Sequence, residues 1–185
     1  MANQNRSLEQ IFAKLSERSS PLSLVEIEEL IRSLTQAREE LASYELFDDA
    51  FYRRNRLFSS EQIDILLLCW KPSQRTPIHD HSGSVCGFHV LRGEATEVAF
   101  TRSGLGPLVP SETKIIRSGE TAISVDTDAH LVGNFAANNT DLVTLHCYSP
   151  PLSSMRVFDQ SETFFNKYGQ LTDYAAQSSS FWIRP

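Results

Sequence analysis

From about Ile63 onward the chain breaks into short runs rich in β-branched and aromatic residues. Turn signals divide them at Pro72-Ser73, Ser82-Gly83, Arg92-Gly93, Gly104 to Pro107, Ser118-Gly119 and Asn138-Asn139. With punctuation every ten residues or so, eight or so short strands read as an antiparallel barrel or a double-sheet jelly roll. The interior of such a barrel holds one small ligand or a metal. The first fifty residues read differently. Ser7 with Gln10 forms a capping-box signal ahead of Leu8, Ile11, Phe12 and Leu15 at helical spacing. Ser23 with Glu26 repeats it ahead of Ile27, Leu30, Ile31 and Leu34, with Pro21 in the break between them. A third, charged helix is expected over Gln36 to Tyr44. The expected organisation is therefore a helical segment over 1–46 packed outside a β-barrel over 47–170, with a tail over 171–185 that includes the Ser-rich Gln177 to Ser180.

Composition narrows the function classes. At 185 residues a single core is expected, and 41% hydrophobic with 22% charged residues is ordinary globular usage. Seventeen Lys and Arg against 23 Asp and Glu give a net charge of -6, without the basic footprint that phosphate-backbone binding requires, so no nucleic-acid partner is expected. The longest apolar run, Ile65 to Trp70, is far short of the roughly 20 residues that cross a bilayer, so no membrane partner is expected either. The polar start, Met1 to Arg6, has no apolar stretch behind it, which makes a cytoplasmic protein the simplest expectation, and a monomer is expected. Three cysteines, Cys69, Cys86 and Cys147, argue against a disulfide framework and for reduced thiols with separate roles.

The histidines carry the chemical signal. His79-Asp80-His81 places two imidazoles at i and i+2, on one face of a strand and about 7 Å apart along it. Their setting is Ser73-x5-His79-x-His81-x4-Cys86-x6-Gly93, followed by Gly119-x5-Val125-x-Thr127-x2-His130-x3-Asn134. This resembles the two signature motifs of the cupin superfamily, although Val125 and Thr127 replace the usual Pro and Gly of the second. The resemblance implies a cupin double-stranded β-helix and a metal held by His79, His81 and His130. Cys86 stands where cupins usually offer an acidic ligand. Three neutral imidazoles leave the charge of a divalent ion uncompensated, so such a site favours an anionic ligand from the substrate, and a thiolate suits Fe(II) in both charge and softness.

Further motifs make the chain similar to the cysteine dioxygenase family from about Phe47 to Tyr168. They are Tyr52-Arg53-Arg54-Asn55, Leu68-Cys69-Trp70, Ile78-His79-Asp80-His81, Cys86, His130 and Leu145-His146-Cys147-Tyr148-Ser149-Pro150-Pro151. That resemblance implies oxidation of the thiol of L-cysteine by O2 to the sulfinate, with Fe(II) on His79, His81 and His130. It implies Arg54, with Tyr52 beside it, as the substrate-binding side chains, and a Cys86-Tyr148 thioether as a protein-derived cofactor. It also implies a cis Ser149-Pro150 peptide, and an outer chain of Thr144, His146 and Tyr148 in which Thr144 replaces a serine. Arg54 competes for its role with Arg53 and Arg56, and Trp70 fits either cavity or core. Alternation puts Cys147 and His89 on the faces turned away from the site, and Cys69 among core residues. Related enzymes of 3-mercaptopropionate carry Gln in place of Arg54 and lack the crosslinking Cys. Two other classes fit the same histidines: a zinc cupin acting by hydrolysis or isomerisation, and a non-catalytic small-molecule binder.

Overall fold

The computed structural model describes residues 7–81, 83–102, 108–125, 129–152 and 156–158. The expected turn at Gly104 to Pro107, residue Thr127, and the tail over 171–185 lie outside the described residues. Among the described residues three helices precede eight strands: α1 Leu8–Ser16, α2 Leu24–Thr35, α3 Arg38–Ala42, β1 Arg53–Ser59, β2 Asp64–Trp70, β3 Val85–Arg92, β4 Glu94–Arg102, β5 Leu108–Arg117, β6 Thr121–Val125, β7 Ala129–Gly133 and β8 Leu142–Ser149. Both expected capping boxes form: Ser7 with Gln10 opens α1, and Ser23 with Glu26 opens α2. The third helix is shorter than expected, because its N-cap position is Ala37, whose side chain offers no acceptor to the first turn.

The strands form two antiparallel sheets, ordered β1-β2-β8-β3-β6 and β5-β4-β7. Their inner faces share one cluster, in which Leu66, Leu68, Trp70 and Phe88 from the first sheet meet Ala95, Ile116 and Val132 from the second. This is the mainly β double-stranded β-helix of a cupin. The helices cover the outer face of the larger sheet, where Leu8, Ile11, Ile27, Ile31 and Leu34 pack with Ile65, Leu67, Cys69, Val143, Leu145 and Cys147.

The central strands are thus buried on both sides, which explains why β2 reads as a continuous apolar run instead of alternating. Along β2 and β8, odd-numbered residues face the helices and even-numbered ones face the barrel interior. Cys69 and Cys147 accordingly sit on the helix side. Burial pushes the Cys69 thiol up to about 12, and pushes that of Cys147 up as well. At Gly87 on β3 the helix comes so close that a Cβ would lie 2.7 Å from Ile27 Cγ2, so a side chain there would hold α2 off the sheet. No helix among the described residues is long and apolar enough to cross a membrane.

Candidate metal centre

Three histidines converge between the sheets. His130 lies on β7. His79 and His81 belong to an extended segment between β2 and β3 rather than to a strand of either sheet, a correction to the expected strand placement. The segment is fixed by its backbone: His79 N donates to His130 O and His130 N donates to His79 O, both at 2.9 Å. On its other side, Asp80 N donates to Arg156 O at 3.1 Å and Phe158 N donates to Ile78 O at 2.9 Å. The buried Asp80 carboxylate, pointing away between the two imidazoles, pairs with Arg156 Nη2 at 2.6 Å.

One ring nitrogen from each of His79, His81 and His130 lies within 4.8 Å of the others, and all three residues are buried. Hydrogen bonds on the far side of two rings decide which nitrogen faces the centre. His79 Nδ1 lies 3.0 Å from Pro77 O, a pure acceptor, so Nδ1 carries the proton and Nε2 keeps its lone pair. His130 Nδ1 lies 2.7 Å from Glu97 Oε1, and the same logic leaves its Nε2 lone pair free. That Nε2 sits 3.1 Å from His81 Nε2. Burial drives the His79 pKa down to about 3 and that of His81 down to about 2, so both rings are neutral at physiological pH. Neutral, outwardly anchored imidazoles with converging lone pairs are what a divalent transition metal requires.

The same interior holds the other expected site residues. Tyr52, Arg54, His79, His81, Cys86, His130, His146 and Tyr148 line one narrow cavity, together with Leu68, Thr76, Phe88 and Val132, to which the reading of the sequence assigned no site role. Register explains the selection. Arg54 pairs with Leu68 on the interior face, whereas Arg53 pairs with Cys69 on the helix side. Arg56 shares the interior face but lies outside the cavity lining. Arg54 keeps solvent-accessible surface and bonds Tyr52, the arrangement of a cation at a cavity mouth. Cys86 stands directly opposite Tyr148 across β3 and β8, and Phe88 opposite His146, while His89 turns away to Thr121. The Ser149-Pro150 peptide is cis.

Thr144, His146 and Tyr148 alternate along β8 into the interior and bond in series. His146 Nε2 is 2.9 Å from Thr144 Oγ1, and His146 Nδ1 is 3.1 Å from the Tyr148 hydroxyl. Burial holds His146 well below the ordinary imidazole range and Tyr148 well above the ordinary phenol range, so one stays neutral and the other keeps its proton. Trp70 belongs to the core rather than to the cavity wall: it is fully buried, and its indole donates to Thr144. Two partners escaped the reading of the sequence. Glu97 lies on β4 beside β7, and only the sheet order brings it to His130. Its sole signal was a carboxylate between Ala95 and Ala99 on one strand face. Arg156, the partner of Asp80, carried no signal at all.

The family model described as "Cysteine dioxygenase type I" matches residues 1–161. The chain belongs to that family. Cysteine dioxygenase type 1 of Danio rerio is 29% identical over 182 residues, covering 91% of this chain and 88% of the relative. The Homo sapiens protein of that name is 27% identical over 191 residues, covering 97% and 92%. A Klebsiella pneumoniae protein with a double-stranded β-helix domain superposes with a TM-score of 0.51 at 15% identity, over 65% of this chain and 95% of its own, and supports the fold. As a cysteine dioxygenase family member, the chain is a thiol dioxygenase of the cupin type with a three-histidine metal site.

Proposed function

We propose that the chain oxidises L-cysteine to cysteine sulfinate, with Fe(II) held by His79, His81 and His130. The observation that carries this reading is one narrow cavity with three converging imidazoles and, among the described residues, no carboxylate in the ligand group on one side, and a guanidinium, Arg54, on another. The histidine set adds no negative charge, so the cavity favours a guest that brings two: a thiolate for the metal and a carboxylate for Arg54. Bound ferrous ion supplies the coordination that acidifies the thiol and the redox chemistry that joins it to O2. The overall change balances without an external reductant, since RSH and O2 give RSO2H, with sulfur losing four electrons and receiving both oxygen atoms.

The protein's own residues orient and protect. Arg54 grips the substrate carboxylate through two parallel N–H bonds, and Tyr52 holds the guanidinium in place. Leu68, Phe88 and Val132 keep the sulfur's surroundings dry. Tyr148 keeps its phenolic proton and donates it as a hydrogen bond to the bound reactants, with His146 and Thr144 fixing its position. Cys86, opposite Tyr148, is placed on the neighbouring strand to form a thioether with the phenol ring. That step removes one hydrogen from the thiol and one from a ring carbon, and O2 accepts the electrons.

Oxygen uptake by iron-loaded protein against a panel of thiols, with sulfinate detected, tests the reading. L-Cysteine should be preferred over 3-mercaptopropionate and over thiols without a carboxylate. Arg54→Ala should cut kcat/KM about 10- to 100-fold through KM, the equivalent of a charged hydrogen bond worth roughly 1.5 to 3 kcal/mol, and leave iron content intact. Iron-loaded protein that consumes no oxygen with any small thiol overturns the proposal.

A further inference from the structure

The hydrogen-bond chain along β8 does not end at Thr144. Trp70 Nε1 lies 2.9 Å from Thr144 Oγ1, and both residues are fully buried. An indole N–H is a donor and never an acceptor, so the direction of this bond is fixed. A threonine hydroxyl has a single proton to give. Among the described residues its hydrogen-bond partners are Trp70 and His146, so with Trp70 donating to the oxygen, His146 Nε2 at 2.9 Å is the acceptor for that proton. His146 Nε2 is then the unprotonated nitrogen, and the neutral ring carries its hydrogen on Nδ1. That Nδ1–H points at the Tyr148 oxygen, 3.1 Å away. The Tyr148 hydroxyl therefore accepts from His146, and its own proton is free to point into the cavity that its ring lines beside His81.

The opposite polarity forms the same two bonds within Thr144, His146 and Tyr148. Tyr148 would donate to Nδ1, Nε2–H would donate to Thr144, and the phenolic proton would be turned away from the cavity. Only the indole separates the two arrangements. With Trp70 in place, the reversed chain leaves the Thr144 proton buried without an acceptor, a bias on the order of 10-fold or more. Trp70 is itself held firmly, because its ring stacks on Tyr52 with centroids 4.3 Å apart and planes 16° from parallel. The methyl group of Thr144 restricts its χ1 and so keeps Oγ1 between its two partners.

We propose that Trp70 is a positioning residue that sets the direction of the chain Trp70, Thr144, His146, Tyr148, and so delivers the Tyr148 hydroxyl proton into the cavity. The catalytic consequence rests on the proposed role of Tyr148 as hydrogen-bond donor; the assignment of direction does not.

Two-bond 1H–15N correlation spectra of histidine-labelled full-length protein, loaded with diamagnetic zinc, read the His146 tautomer directly. The expected wild-type spectrum shows a protonated Nδ1 and a bare Nε2; a protonated Nε2 overturns the proposal without any variant. Trp70→Phe keeps an aromatic ring against Tyr52 and removes the donor. It should give a mixture of tautomers, and in the iron-loaded enzyme it should lower kcat about twofold, in proportion to the lost population, with KM for cysteine unchanged. Thr144→Val should do the same, and adding Trp70→Phe to it should change nothing further, because the indole acts only through that hydroxyl. A single retained tautomer in Trp70→Phe, or a loss through KM alone, refutes the role of Trp70. Wild-type protein with the expected tautomer but no oxygen uptake would instead refute the dioxygenase reading.

Discussion

Removing the carboxylate behind His130 should weaken metal binding without touching a metal ligand. Glu97 Oε1 lies 2.7 Å from His130 Nδ1, with the two side chains only 15% and 11% exposed, so this is a largely desolvated, charge-assisted bond. Such a bond contributes roughly 1.5 to 3 kcal/mol. It has two effects on the centre. It holds the His130 ring at the required angle, and it keeps the proton on Nδ1. If the proton moved to Nε2, a nitrogen 3.1 Å from His81 Nε2, it would point into the space the metal needs. Glu97→Ala should therefore raise the metal dissociation constant about 10- to 100-fold, or 1.4 to 2.8 kcal/mol, in agreement with the strength of the bond. Glu97→Gln retains a neutral oxygen acceptor and should lose about half that free energy. Chelator competition against Fe(II) under anaerobic conditions, repeated with Zn(II), measures the constant independently of turnover. A folded Glu97→Ala protein whose affinity stays within about twofold of wild type refutes the argument.

Two further outcomes follow from the thiols. Purified active protein should contain a fraction lighter by two hydrogens, and Cys86→Ser should abolish it and reduce activity only in part; intact mass measures both, and an active protein with no such fraction removes the crosslink while leaving the dioxygenase reading in place. At alkaline pH, stability should fall. Burial raises the folded-state pKa of Cys69 to about 12 and also raises that of Cys147. Above the unfolded thiol pKa, near 9, the unfolded chain binds fewer protons than the folded one, so stability is whole below that pH and declines above it, by at most about 1.4 kcal/mol per pH unit for each thiol. Denaturant titrations across that range should be steeper in pH for wild type than for Cys69→Ala/Cys147→Ala, and equal slopes would contradict the assignment.

Local signals were the legible ones. Ser7 with Gln10, and Ser23 with Glu26, announce helix starts because a cap depends only on residues three apart. Gly93 and Gly119 adopt the positive φ that their turns require. The Thr144, His146, Tyr148 face follows from simple alternation, since a strand orients its side chains without reference to its neighbours. What could not be read depends on register and sheet order. Arg53, Arg54 and Arg56 are equivalent as a charge cluster until β1 pairs with β2 and sets Arg54 against Leu68. Glu97 becomes a partner of His130 only because β4 lies beside β7. His79 and His81 were legible as a pair, but their segment is held by bonds to His130 and to residues 156–158 that no local pattern encodes.

Thr144 stands where the resemblance to the family implies a serine. Either residue supplies a hydroxyl for His146, so composition alone treats the exchange as conservative. In the fold, Thr144 stands on β8 across from Leu68 of β2 and Val90 of β3 and is fully buried, so its methyl group has neighbours on both sides. A serine hydroxyl can swing among three rotamers at little cost, whereas a packed, β-branched threonine holds one. The hydroxyl is thereby kept where it can accept a hydrogen bond from the Trp70 indole and donate one to His146. The exchange leaves the donor and acceptor chemistry intact and adds rigidity to it, which is why a change at the outer end of the chain is compatible with an unaltered phenol at the inner end.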